Sequence, residues 1–166
     1  MEYDKSMFKE VDISFGYTGI QLFAQNELDE AQLGYAVHPS GNSLTGNKHG
    51  DWKESWLVIG KTTDCGDPIF VDLSSDKLMV FTASHGQGAW EAELISNSYN
   101  GFLKVIEKFS NLAKSRSHPG GLERNPMTQV EYDDFISFAS ETASVSDAYF
   151  WELLVLDEEE GIGPEI

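Results

Sequence analysis

Basic side chains are scarce in this chain. Lys and Arg account for 11 of its 166 residues against 28 Asp and Glu, a formal net charge of −17 at neutral pH. A field of that sign repels phosphate backbones, so direct nucleic-acid binding is not expected. Cysteine is nearly absent too. Cys65 stands alone, which excludes an intrachain disulfide and suits a reducing compartment. No apolar run approaches the ~20 residues needed to span a bilayer, so no membrane partner is expected. The N-terminus, Met1 to Lys5, is polar and acidic, unlike the basic start and apolar stretch of a secretory signal. The cytoplasm is the expected location.

What the chain does hold is enough apolar material for a core. At 40% apolar and 12% aromatic residues, it reads as one domain over residues 1–166. The charge is uneven: residues 123–166 carry 12 acidic side chains and one basic residue, Arg124. Such a field speeds encounter with a basic partner and sets its register. Solubility alone would also account for it.

Strands come first. Val11, Ile13 and Phe15 alternate with polar residues, and Ile20, Leu22 and Ala24 continue the period of two, predicting a hairpin turning at Tyr17-Thr18-Gly19. Glu27 to Leu33 reads as a short acidic helix stopped by Gly34, and His38 to Lys53 as a surface loop. From Trp56 to Trp90, short apolar runs are cut by Gly, Pro and Asp: Trp56 to Gly60, Ile69 to Val71, then Leu78 to Phe81. These predict strands joined by tight turns. Trp90 to Ile95 reads as a last strand, with Glu91 and Glu93 on one face. Trp56 and Trp90 are expected in the core.

Helices follow. Tyr99, Phe102, Leu103, Ile106, Phe109 and Ala113 form a stripe at spacings of three and four, predicting a helix from about Ser98 to Ser115. Ser115 to Met127, with His118-Pro119-Gly120-Gly121, predicts a loop. Thr128-Gln129-Val130-Glu131 has the form of a capping box. It opens a helix to about Thr142 that should bury Val130, Phe135, Phe138 and Ala139. A third helix from Ser146-Asp147 carries Tyr149, Phe150, Leu153, Leu154 and Leu156, and one of the neighbours Phe150 and Trp151 is expected at the surface. Asp157 to Glu160 oppose that helix's dipole, so residues 157–166 are expected to form a mobile acidic tail. The fold class predicted is α+β, a mostly antiparallel sheet of five or six strands with helices packed on one side and concentrated in the C-terminal half.

The order of features resembles the SUKH superfamily, the domain of yeast Smi/Knr-type cell-wall regulators and of many bacterial immunity proteins. The matching features are the apolar strand entered by Trp56 and closed by Gly60, the Gly66-Asp67 pair opening a strand, and the strand ending at Phe81. They continue in the Trp90 strand and the helix carrying Phe102-Leu103. Upstream, Gly19 to Phe23 before Glu27-Leu28 looks like the family's early strand and short helix, so the resemblance spans roughly residues 15–106. The helix that usually precedes the first strand is short or missing here. The resemblance implies a protein that neutralises a cognate toxin. Its alternative is an intracellular regulatory or scaffolding domain with an endogenous partner.

No residue pattern has the form of an active site, and no enzyme activity, metal or cofactor is expected. His38, His49, His85 and His118 are scattered among Gly- and Pro-containing stretches without ligand spacing. Asp64, Asp67 and Asp72 do not make a calcium loop, because Pro68 and Ile69 fall where oxygen ligands are needed. Cys65 is flanked by Asp64 and Asp67, whose charge disfavours a thiolate. Ser84 to Gly88 lacks the Lys-Ser/Thr ending of a phosphate loop and reads as a hairpin turn. The candidate residues are therefore those of a partner surface: Trp52, Asp64, Asp67, Glu91, Glu93, Asp157, Glu158, Glu159 and Glu160. Trp52, between Asp51 and Lys53, either anchors an interface or lies flat over its own loop. The partner that the resemblance implies is a basic toxin domain, such as a nuclease, whose cleft an acidic protein can occupy.

Overall fold

Alternation at Val11, Ile13 and Phe15 produces strand β1 (Val11–Phe15), which turns through Gly16-Tyr17 into β2 (Thr18–Leu22). The computed structural model in which this is seen describes residues 2–84 and 88–156. The turn lies earlier than the sequence suggests. Gly16 takes φ +58°, the left-handed value that the first position of a tight hairpin turn favours and glycine adopts without strain.

Four more strands continue the sheet: β3 (Trp56–Thr62), β4 (Pro68–Asp72), β5 (Val80–Thr82) and β6 (Glu93–Ser96). Each pairs antiparallel with its predecessor, so the six strands lie in sequence order. Helix α1 (Leu28–Ala31) sits in the long β2–β3 connection, and α2 (Tyr99–Ala113), α3 (Pro119–Arg124), α4 (Gln129–Ala143) and α5 (Tyr149–Leu154) follow the sheet. The fold is α+β, with its helices mostly in the C-terminal half, as the sequence order predicts.

The main core joins one face of the sheet to the helices. Ile13, Phe15, Leu57, Ile59, Ile69, Val71 and Val80 meet the α2 stripe of Phe102, Val105, Ile106 and Phe109, then Phe135 and Trp151. Caps fix where these helices begin. Ser98 accepts from the Gly101 amide ahead of α2, and Thr128 and Glu131 form the reciprocal capping box of α4. Helices α2 and α4 approach closely at Gly101, where a Cβ would stand 2.6 Å from the Thr142 carbonyl oxygen.

Several expectations are corrected here. Val130 is exposed rather than buried. The α4 stripe is Phe135, Ala139 and Ala143, and at ~100° per residue Val130 is turned well away from it. The expected loop after α2 contains α3, capped by the His118 ring nitrogen Nδ1, which accepts from the Gly121 amide, with Pro119 in the first turn. Phe150 and Trp151 are both buried. Their rings meet edge to face at 5.0 Å, and the Trp151 indole N–H donates to the Ile95 carbonyl at 2.9 Å, so two sides of α5 face the interior. Strand β6 starts at Glu93 rather than Trp90, because the Trp90 amide donates to Gly50 outside the sheet. The expected Ser84–Gly88 turn lies largely outside the described residues.

The face of the sheet opposite the helices is covered too. Trp52, Val58, Phe70 and Ala83 form a second buried cluster, rimmed by Tyr35, Trp56, Phe81 and Trp90. Trp56 and Trp90 are thus only partly buried, as its rim. Residues 32–55 lie over the sheet as a cover, held by the buried Gln32 side chain. Its amide nitrogen donates to the Leu28 and Val58 carbonyls, both at 2.8 Å, and its oxygen accepts from the Val58 amide at 2.9 Å. Beyond the end of β2, one side-chain amide does for Val58 what a neighbouring strand would do.

Candidate functional site

The β3–β4 turn places two carboxylates at one end of the sheet. Thr62 closes that turn: its amide donates to the Asp67 carbonyl at 3.0 Å, and its hydroxyl accepts from the Asp67 amide at 3.2 Å. Gly66, at φ +74°, lets the chain reverse. Asp64, Cys65 and Asp67 are thereby presented beside Thr82 and Ser84 at the end of β5 and Glu93 at the start of β6. Opposite them lies α5. Its ends are fixed, by the Trp151 indole on Ile95 and by the Thr18 hydroxyl donating to the Leu154 carbonyl at 2.6 Å. With Phe150, Trp151 and Leu154 turned inward, Tyr149 and Leu153, four residues apart, remain 53% and 42% exposed. Between these walls runs a groove of about 140 Å³. One side is acidic and the other is apolar.

Glu93 is the carboxylate most affected by this setting. Partial removal from water, and then repulsion from Asp147, hold its carboxyl above the usual carboxylate range. Asp147 itself accepts from the Tyr149 amide at 2.9 Å, which places it at the head of α5. On the far side, burial and then the Asp67 charge push the Tyr35 hydroxyl up, so Asp67 also lies close enough to the aromatic cover to be felt there. Among the described residues, no three His, Cys, Asp or Glu side chains converge closely enough to hold a metal ion. These carboxylates therefore line a surface without forming a chelating cluster.

The candidate residues divide into four groups. Asp64, Asp67 and Glu93 come together at the groove. Glu91 lies before β6, not on it; it stands 3.9 Å from His49 and shares a neighbouring open depression with Glu93. Of the two readings of Trp52, the exposed anchor is overturned. The residue is 1% exposed, its ring centroid 4.6 Å from that of Phe70 and 5.1–5.3 Å from those of Tyr35, Trp56 and Trp90. Asp157, Glu158, Glu159 and Glu160 lie outside the described residues.

Three residues around the site, Asp147, Tyr149 and Leu153, show in the sequence only as the start and the apolar set of a helix. Five of the six residues of α5 are aromatic or leucine, so nothing local separates its outward pair, Tyr149 and Leu153, from its core. The burial of Trp52 did have a signal. In β3 and β4, Leu57 to Ile59 and Ile69 to Val71 are continuous apolar runs, which mark strands covered on both faces. Something had to lie over the second face.

Compared with protein-family models, curated proteins and solved structures, the chain has no match. Among the described residues, no helix is long and apolar enough to cross a membrane.

Proposed function

We propose that this protein is a non-enzymatic binding domain that captures a basic protein partner in the cytoplasm, in the manner of an immunity protein neutralising a toxin. The observation that carries the reading is the convergence of Asp64, Asp67 and Glu93 on one groove whose other wall is apolar. The chain's excess of 28 acidic over 11 basic side chains supports it. Long-range attraction would bring a cationic surface to this end of the sheet, and burial of apolar area would then hold it. A nuclease toxin suits the chemistry, because its cleft is basic for the sake of a polyanionic substrate. The resemblance to SUKH immunity proteins points the same way.

The test is a tagged pull-down from the native host at low and at high salt, with bound proteins identified by mass. One basic, toxin-like polypeptide is expected at low salt, depleted at high salt as screening shortens the reach of the charges. Co-expression should then protect cells from that polypeptide. Recovery of signalling or housekeeping proteins in its place, or capture indifferent to salt, would replace this reading with a regulatory or scaffolding one.

A further inference from the structure

We infer that the groove between the β3–β4 turn and α5 receives a single arginine side chain of the partner, together with an adjoining apolar residue. The inference rests on the reading of the protein as a binder of a basic partner, and it names the chemistry recognised.

Size comes first. At about 140 Å³ the groove is well below the ~300–1,000 Å³ of sites for small molecules. A metabolite would be left largely in water, whereas one long side chain would be enclosed. The two walls then select which side chain. Leu153 and the Tyr149 ring offer a half-exposed apolar surface for a methylene stem, and a tyrosine face attracts a cation. Asp64 and Glu93 stand across from them, and no described ion pair includes either carboxylate. A partner's cation would supply the missing countercharge. Carboxylates approaching from the turn and from β6 suit a planar guanidinium, which donates in several directions, better than a compact ammonium. The raised Glu93 carboxyl is consistent with a seat that disfavours uncompensated negative charge.

The test is a 15N-resolved NMR titration of the whole chain with three blocked dipeptides: acetyl-Leu-Arg-amide, acetyl-Leu-Lys-amide and acetyl-Leu-Gln-amide. The arginine peptide should saturate at millimolar concentration, with shifts confined to Thr62, Asp64, Thr82, Glu93, Tyr149 and Leu153. The glutamine peptide should bind at least tenfold more weakly, and the lysine peptide in between. Glu93→Gln and Leu153→Ser, both on the surface, should each weaken the arginine peptide severalfold while leaving distant resonances in place. Shifts spread over the acidic surface without saturation would overturn the groove inference, yet leave salt-dependent capture in the pull-down untouched. Equal binding of all three peptides would overturn it as well. Saturation at the groove with no basic partner in the pull-down would instead uphold the groove and remove the toxin reading.

Discussion

Gln32→Ala isolates the contact that holds the 32–55 cover on the sheet. The substitution removes three hydrogen bonds of 2.8, 2.8 and 2.9 Å. Counting only the amide and carbonyl of Val58, which is 1% exposed beneath Trp52 and Phe70, sets the lower bound, because Leu28 is buried as well. Leaving one such buried group unsatisfied costs about 1–3 kcal/mol, so the two together predict a loss of about 2–6 kcal/mol. For a chain of this length each kcal/mol lowers Tm by about 2–4 °C, and a central loss of ~4 kcal/mol lowers it by ~8–16 °C. Urea unfolding followed by tryptophan fluorescence would measure the loss, with an unchanged slope showing that the unfolding reaction is the same. Gln32→Glu sharpens the test. A carboxylate can accept from the Val58 amide but has nothing to donate to the two carbonyls, so its folded-state pKa must rise above the unfolded value. Its destabilisation is full at neutral pH and is relieved as pH falls through that raised pKa, where the protonated acid can donate again. A loss below ~1 kcal/mol for Gln32→Ala, or a Gln32→Glu defect that does not shrink on acidification, would refute the account of Gln32 as a substitute strand.

Two further predictions concern helix packing and the groove. Gly101→Ala should destabilise the protein in thermal unfolding, although alanine is the better helix former by ~1 kcal/mol, because the new Cβ meets the Thr142 carbonyl at 2.6 Å; a rise in Tm would show that α2 and α4 have room to part. Glu93→Gln should stabilise the unliganded protein at pH 7, because the folded state disfavours the Glu93 charge, and the gain should fade as pH falls toward the ordinary value of 4.5. Urea midpoints of the two proteins compared at pH 7 and pH 4 would check this, and a difference that grows on acidification would reverse the sign argued here.

The sequence by itself determined the order and kind of most elements. Period-two alternation at Val11, Ile13 and Phe15, the stripe from Tyr99 to Ala113 and the Thr128–Glu131 box are local signals, and each produced the element it predicts. It also determined the acidity, on which the proposal of a basic partner rests. What it could not determine depends on contacts between distant residues. Trp52 is flanked by charges in sequence yet buried, because its neighbours in space are Phe70 and Trp90. The outward turn of Tyr149 and Leu153 follows from the Trp151 bond to Ile95, across 56 residues of chain. Asp64 and Glu93 share a groove only because β3, β4, β5 and β6 pair in order and bring the β3–β4 turn beside the start of β6. Local propensity acts over a turn or two of chain, whereas this site is assembled by strand pairing and burial, which reward proximity in space whatever the separation in sequence.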